Sequence, residues 1–312
     1  MAVKHAAVIG AGTIGASWAA YFLSRGLSVV ASDPAPTGEA FIRDYVRTAW
    51  PALERLGLAP GASAERLRFE RDPAAAVVGA EFVQESAPER EDMKVELFER
   101  LDRALPPEVI LASSSSGILI SNIAARCRHP ERCIIGHPFN PPHMIPLVEV
   151  VGGKRTSPAV IERALAFYRE IGKRPIHIRK EVRGHLVNRL QAALWREAIH
   201  LVADGVASVA DVDAGIAYGP GLRWAIMGPH LTFHLAGGVG GMTHFMPHLG
   251  VPLARDWWPA LGNPELTPAV QQQIIDGVAE EAAGRTIPEL AAERDRCLIA
   301  ILDALKTARG EK

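Results

Sequence analysis

Gly10-Ala11-Gly12-Thr13-Ile14-Gly15 is the feature that most restricts how this chain can fold. A short apolar strand, Ala6-Ala7-Val8-Ile9, stands just ahead of it. A helical pattern carrying Trp18, Phe22 and Leu23 follows, and then a second apolar strand over residues 27–31. Asp33 closes that strand, near the spacing of roughly 20 residues that places an acid beside a ribose. Strand, glycine turn, helix, strand and acid, in this order, make one half of a dinucleotide-binding sheet. Gly10 permits the tight turn, Gly12 lets a pyrophosphate approach the backbone, and Gly15 lets helix and strand pack closely. Thr13 and Ile14 open the helix, whose free N–H groups and positive dipole end suit phosphate. In isolation the same glycines would also describe a tight turn without a ligand; the flanking strands and the acid favour the ligand. The Asp33 carboxylate accepts from ribose hydroxyls and repels a 2′-phosphate, and Pro34 to Thr37 bring no arginine, so the expected cofactor is NAD rather than NADP.

The alternation continues. Residues 80–85 read as a strand, 91–101 as an amphipathic helix, 109–113 as a strand and 175–179 as a last strand. This predicts an α/β fold with a doubly wound, mostly parallel sheet. Ligands of such sheets sit at the carboxyl ends of the strands, which selects Glu85, Glu89 and Ser113 to Ser116. Past Gly184 the patterns become helical: an apolar stripe over residues 186–202, a Ser208/Asp211 start, and further helices over 266–283 and 288–308. The expected organisation is a nucleotide-binding domain over residues 1–184 and an all-helical substrate and dimerisation domain over 185–312.

Within the sheet, His137-Pro138-Phe139-Asn140 and Leu147-Val148-Glu149-Val150 carry polar groups in otherwise apolar runs. An ionised carboxylate inside a buried strand is costly unless paired. The simplest partner of Glu149 is His137, one loop away. A His–carboxylate pair beside a cofactor is a proton-transfer device; without a cofactor it would read as a buried structural pair.

Bulk properties narrow the function. The 312 residues are 48% hydrophobic and 22% charged with a formal net charge of -1, which suggests neither a nucleic acid nor a membrane as partner. No run approaches the length of a transmembrane helix, and the N-terminus lacks a signal-peptide pattern. Three scattered cysteines fit a reducing cytoplasm better than a disulfide framework. No metal site is expected, since the cysteines and the several histidines after residue 229 lack a ligand pattern.

Taken together, Gly10-x-Gly12-x-x-Gly15, Glu85-x-x-x-Glu89, Ser113 to Ser116, His137-x-Phe139-Asn140-Pro141, Val148-Glu149-Val150 and Gly184-x-x-x-Asn188-Arg189 resemble the 3-hydroxyacyl-CoA dehydrogenase superfamily. The resemblance implies His137 as general acid/base, Glu149 as its orienting partner, and Ser116 and Asn188 as holders of the substrate oxygen. It also implies cofactor contacts from Glu85, Glu89, Lys94, Ser114 and Asn140. Within the superfamily the chain is most similar to the L-carnitine 3-dehydrogenases, and next to the lambda-crystallin/L-gulonate 3-dehydrogenase group. The segments Ala49-Trp50-Pro51, Gln84 to Arg90, Ala193-Leu194-Trp195-Arg196-Glu197 and Gly221-Leu222-Arg223-Trp224 carry that likeness. The implied reaction is NAD-dependent oxidation of a small 3-hydroxy acid, with a homodimer as the expected assembly. L-gulonate and short-chain 3-hydroxyacyl-CoA are alternative substrates, and an NAD-binding structural or redox-sensing protein is the alternative of another class. A quaternary ammonium substrate would need an aromatic cage. Trp195, Trp224 and Phe233 are candidates for it, with Arg223 for the carboxylate. His143 departs from the aromatic residue of the carnitine enzymes and is placed at the substrate end.

Overall fold

The computed structural model describes residues 3–310. Its polypeptide divides after Arg189 into two compact units.

The first unit is built on one eight-stranded sheet. Its elements are β1 (His5–Ile9), α1 (Thr13–Ser24), β2 (Ser28–Ser32), α2 (Gly38–Leu56), β3 (Leu67–Phe69), α3 (Pro73–Ala76), β4 (Phe82–Glu85) and α4 (Glu91–Ala104). There follow β5 (Ile110–Ser113), α5 (Ile120–Ile123), β6 (Cys133–Pro138), β7 (Leu147–Gly152), α6 (Pro158–Glu170) and β8 (Arg174–Ile178). The strand order is β3-β2-β1-β4-β5-β6-β7-β8. All neighbours pair in parallel except β6 and β7, so β7 and β8 run against the other six. The strand order reverses on either side of β1, where such sheets open a crevice for ligands.

The register brings the carboxyl ends of five strands to one edge. Ile9 pairs with Ser32 and with Glu85, and Glu85 pairs with Ser113. His137 lies at the same edge, opposite Glu149 near the start of the reversed strand β7. Both sheet faces are covered. Trp18, Phe22, Phe82 and Tyr168 pack on one face, and Phe98, Leu101, Leu111 and Ile135 on the other. Residues Gly15 to Ser24 of α1 are all buried, because this helix lies wholly within the first layer. Two glycines make that closeness possible. Gly10 has φ +98, and a Cβ there would lie 2.6 Å from the Ser86 carbonyl carbon. A Cβ on Gly15 would lie 1.8 Å from the Gly10 oxygen.

The second unit, from Leu190 onward, is helical. It contains the helices Val209–Tyr218, Pro229–Ala236, Pro268–Ala282 and Ile287–Arg309 with shorter turns between them. The Ser208 side chain accepts from the Asp211 N–H at 3.1 Å, the cap expected from the sequence. Thr286 and Glu289 form a reciprocal capping box. The apolar stripe of α7 (Val187–Ala203) is largely open in the single chain: Ile199 and Val202 are buried, but Leu190 and Leu194 are exposed.

Gly15→Ala should lower the thermal unfolding midpoint and abolish dinucleotide binding. Overpacking a fitted core costs about 1–3 kcal/mol, and here the clash is with backbone. A melting curve matching wild type would contradict the packing described.

Candidate active site

His137 and Glu149 face each other across the β6–β7 ladder, so their side chains share one face of the sheet. The His137 Nδ1 lies 2.7 Å from Glu149 Oε2. Glu149 is completely buried, and its other oxygen, Oε1, accepts from the Leu186 N–H at 3.0 Å and the Val187 N–H at 2.8 Å. Those two amides open α7, where N–H groups lack helical partners and an anion is welcome. Burial pushes the carboxyl pKa up, but the bonds from His137 and the Val187 N–H outweigh it, and the net shift is down. Glu149 therefore stays ionised. An ionised carboxylate can only accept, so His137 Nδ1 carries a proton, and in the neutral ring Nε2 holds the lone pair.

The loop after β5 is held by carboxylates from the β4 end. Glu85 Oε2 accepts from Ser113 Oγ at 2.5 Å, and its Oε1 accepts from the Ala87 N–H and from Lys94 Nζ, each at 2.6 Å. Lys94 Nζ also donates to the Ala87 carbonyl at 3.0 Å and lies 3.7 Å from Glu89. Glu89 Oε1 accepts from Ser115 Oγ, the Ser116 N–H and the Gly117 N–H at 2.7–3.1 Å. Asn188 Nδ2 donates to the Ser116 carbonyl at 3.2 Å, tying the start of α7 to the same loop. Ser114 Oγ is bonded by Gln84 Nε2 at 2.8 Å and lies 2.9 Å from Ser86 Oγ. Glu85 and Lys94 differ from the sequence expectation. They are 0% and 1% exposed, sealed beneath the loop, and a sealed side chain shapes a ligand site rather than touching the ligand. Glu89, Ser116 and Asn140 remain open at the edge.

His143, the residue expected at the substrate end, lies in the loop between β6 and β7. It is buried, with Nδ1 2.8 Å from Ser17 Oγ and its backbone N–H donating to the same oxygen at 2.9 Å. Its ring meets Tyr45 edge-on. The loop it anchors is held from below by the buried Lys173 Nζ, which donates to the Pro142 and Ile145 carbonyls. Burial holds the Lys173 amine well below its usual pKa. In the helical unit, Trp195, Arg223, Trp224 and Phe233 are exposed, and Phe233 stacks on Phe245 at 5.0 Å. Among the described residues no ring contact joins Trp195, Trp224 and Phe233.

His185 escaped the sequence reading. It is buried, its ring centroid lies 5.4 Å from that of His137, and its backbone has φ +49. The only available sign was a histidine just after Gly184, at the predicted domain junction; left-handed backbone at a non-glycine residue has no pattern to announce it.

The glycine turn fits a dinucleotide. A cavity of about 770 Å³ opens beside it, lined among others by Gly10, Gly12, Asp33, Pro34, Pro88 and Met93. A Cβ on Gly12 would meet nothing within 4 Å, so the space over the start of α1 is free. Asp33 is fixed by the Ala11 and Ala35 N–H groups, each at 2.8 Å, and keeps lone pairs for ribose hydroxyls. Arg71 lines the same cavity, brought there from the β3 end, beyond the segment that the sequence argument considered.

Residues 5–182 match the model of the 3-hydroxyacyl-CoA dehydrogenase NAD-binding domain, and residues 184–265 match that of the family's C-terminal domain. The chain belongs to the 3-hydroxyacyl-CoA dehydrogenase family. It is an NAD-dependent oxidoreductase with the doubly wound fold expected. It is similar to L-carnitine dehydrogenase of Pseudomonas aeruginosa, 50% identical over 99% of this chain and 96% of that one. L-carnitine dehydrogenase of Streptomyces griseus is 51% identical over 97% of this chain and 90% of that one. A crystal structure of 5-formyl-3-hydroxy-2-methylpyridine 4-carboxylic acid 5-dehydrogenase, described as an NAD⁺-dependent dismutase, superposes with a TM-score of 0.84 at 32% identity, covering 97% and 99% of the two chains.

Replacing Glu149 by Gln in this dehydrogenase should lower turnover by about 10²–10⁴-fold, the range of a lost acid–base function. It should also lower stability at neutral pH. A carboxyl whose folded pKa is depressed stabilises the fold above its unfolded value and loses that effect as pH falls through the folded value. The gap in melting temperature between wild type and variant should hold near neutrality and close below the ordinary carboxyl pKa of 4.5. A gap that widens in acid would contradict the assignment.

Proposed function

We propose that this dehydrogenase oxidises the 3-hydroxyl of L-carnitine to the 3-keto acid. The observation that carries the reading is the half-identity, over almost the whole chain, to L-carnitine dehydrogenases from separate bacteria. The His137–Glu149 pair at the cofactor edge gives that reading a chemical means.

His137 Nε2, held as the acceptor by Glu149, takes the hydroxyl proton. Bound NAD supplies the hydride acceptor for the C3 hydrogen. Glu149 then stabilises the imidazolium through the Nδ1–H bond already in place. Ser116 and Asn188 hold the oxygen as its charge develops. Asp33, the backbone of Gly10 to Gly15, Ser114, Glu89 and Asn140 position the cofactor. In reduction, His137 returns the proton to the carbonyl oxygen.

A trimethylammonium group is drawn to aromatic faces, and a carboxylate to a guanidinium. Trp195, Trp224 and Phe233, with Arg223, are groups of the helical unit that have that chemistry. The same unit exposes Tyr218, Leu222, Trp257 and Trp258, each above 60%, and so large an apolar surface supports a homodimer formed with a second copy. The free thiols Cys127, Cys133 and Cys297 fit a reducing cytoplasm.

NAD reduction measured with L-carnitine, L-gulonate, 3-hydroxybutyrate and 3-hydroxybutyryl-CoA should show the highest kcat/KM for L-carnitine. His137→Gln should cut that turnover by about 10²–10⁴-fold while leaving NAD affinity intact. NAD binding with no turnover of any of the four would overturn the reading, and a clear preference for another substrate would replace carnitine.

A further inference from the structure

Among the described residues, Arg71 is the one charged side chain lining the cofactor cavity that no hydrogen bond or ion pair holds. The sheet explains why it stands there. In the ladder of β2 and β3, Ala31 pairs with Phe69. Beyond that pair the Glu70 N–H donates to the Ala31 carbonyl at 2.9 Å, and the Ser32 hydroxyl donates to the Arg71 carbonyl at 3.2 Å. Asp33 and Arg71 therefore leave neighbouring parallel strands side by side, at their carboxyl ends. Both line the cavity of about 770 Å³ beside the glycine turn.

The lining carries two acids, Asp33 and Asp72, and two arginines, Arg71 and Arg100. Arg100 is engaged: its guanidinium donates to Asp72 Oδ1 at 2.5 Å, and the same oxygen accepts from the Ala74 N–H at 2.9 Å. Asp33 is engaged as well, one oxygen with the Ala11 N–H and the other with the Ala35 N–H, so it answers backbone donors and not Arg71. Arg71 is left over, and it is exposed. Pro34, Pro73, Met93 and Leu97 make the neighbouring wall apolar. An acid at the end of the second strand takes the adenosine ribose, so this is the adenosine end of the cavity. A planar guanidinium has two chemistries to offer there. Its face stacks on an aromatic ring, and its edge pairs with phosphate. Adenosine presents the ring in NAD, and a 2′-phosphate as well in NADP.

We propose that Arg71 is a cofactor-binding residue that covers the adenine of NAD, and that the Asp33 carboxylate is what denies its guanidinium a 2′-phosphate. The preference for NAD then rests on one charge. The residues that follow Asp33 bring no arginine, but the neighbouring strand does. With Asp33 in place the lining is balanced, and a 2′-phosphate would meet a carboxylate at the ribose. Without it the lining holds one positive charge in excess, and Arg71 can give the phosphate a charge-assisted bond. The chain thus carries a latent site for adenosine 2′-phosphate. This concerns the cofactor end alone and is independent of which hydroxy acid is oxidised.

The experiment measures binding and needs no turnover. Calorimetry with NADH, NADPH and adenosine 2′,5′-bisphosphate compares wild type, Arg71→Ala, Asp33→Ser and the double variant; melting curves establish the fold of each. Asp33→Asn, which removes the charge and keeps the side-chain volume, serves if Ser does not fold. Arg71→Ala should bind NADH about two- to fivefold more weakly than wild type, the loss of a stacked cation at an open site. Asp33→Ser should bind NADPH and the bisphosphate at least about tenfold more tightly than wild type, and adding Arg71→Ala should remove most of that gain. The gain should shrink as salt is raised, since the pair is open to solvent. A folded Arg71→Ala with wild-type NADH affinity would overturn the proposal. So would a folded Asp33 variant with no gain for NADPH, or a gain that survives the loss of Arg71. A wild type inactive on L-carnitine would count against the proposed function and leave every one of these readings in force.

Discussion

The structure of the site depends on one buried carboxylate. Glu149 has no exposure, and moving an ion of its kind out of water costs several kcal/mol unless its oxygens are satisfied. Three donors satisfy it: the His137 imidazole on one oxygen, and the Leu186 and Val187 amides on the other. Hydrogen bonds to a charged group contribute about 1.5–3 kcal/mol each, so the three together offset the burial. The depressed pKa has the sign that this balance requires. One side chain thus fixes the tautomer of the proton-transfer histidine and docks the beginning of α7.

That docking is reinforced by a second set of contacts. Asn188 and His185 bond the Ser116 and Ser115 carbonyls, and Glu89 gathers the hydroxyl and amides of the same loop from the other side. Lys94 and Glu85 form the floor under it. The serine loop is therefore clamped between β4 and the junction segment, and the junction segment is clamped between the serine loop and Glu149. An isolated surface ion pair would contribute little; here the charges are buried, and removing either partner leaves an uncompensated ion beneath a ligand-binding loop. Positioning of this kind keeps donors aimed where charge develops in the reaction.

Much of this was legible in the residues. The glycine turn with Asp33 predicted the cofactor edge, because two of its glycines answer a steric demand that the structure shows as a Cβ clash at Gly10 and Gly15, while Gly12 leaves open space. The polar pair in an apolar segment predicted the His137–Glu149 contact, because burial forces a charge to find a partner. What stayed hidden depended on three-dimensional return. Lys94 reads as a surface helix residue until the Glu85 carboxylate is placed beneath it. His143 reads as a loop residue until Ser17 of α1 comes within 2.8 Å. Arg71 reaches the cofactor cavity from a strand too short, at three residues, to stand out by periodicity. The reversal of β7, which sets Glu149 opposite His137, follows from the course of the 139–146 loop rather than from any alternation in the strands themselves.

The central claim is that Glu149 holds His137 with its proton on Nδ1 and its lone pair on Nε2. Nitrogen-15 NMR of the imidazole rings at neutral pH tests this directly, with the His137 signals assigned by their loss in His137→Gln. The account predicts that the neutral His137 ring carries its proton on Nδ1 and none on Nε2, and that the neutral His185 ring is the opposite tautomer. A His137 ring protonated on Nε2 alone, or averaging between the two tautomers, would contradict it.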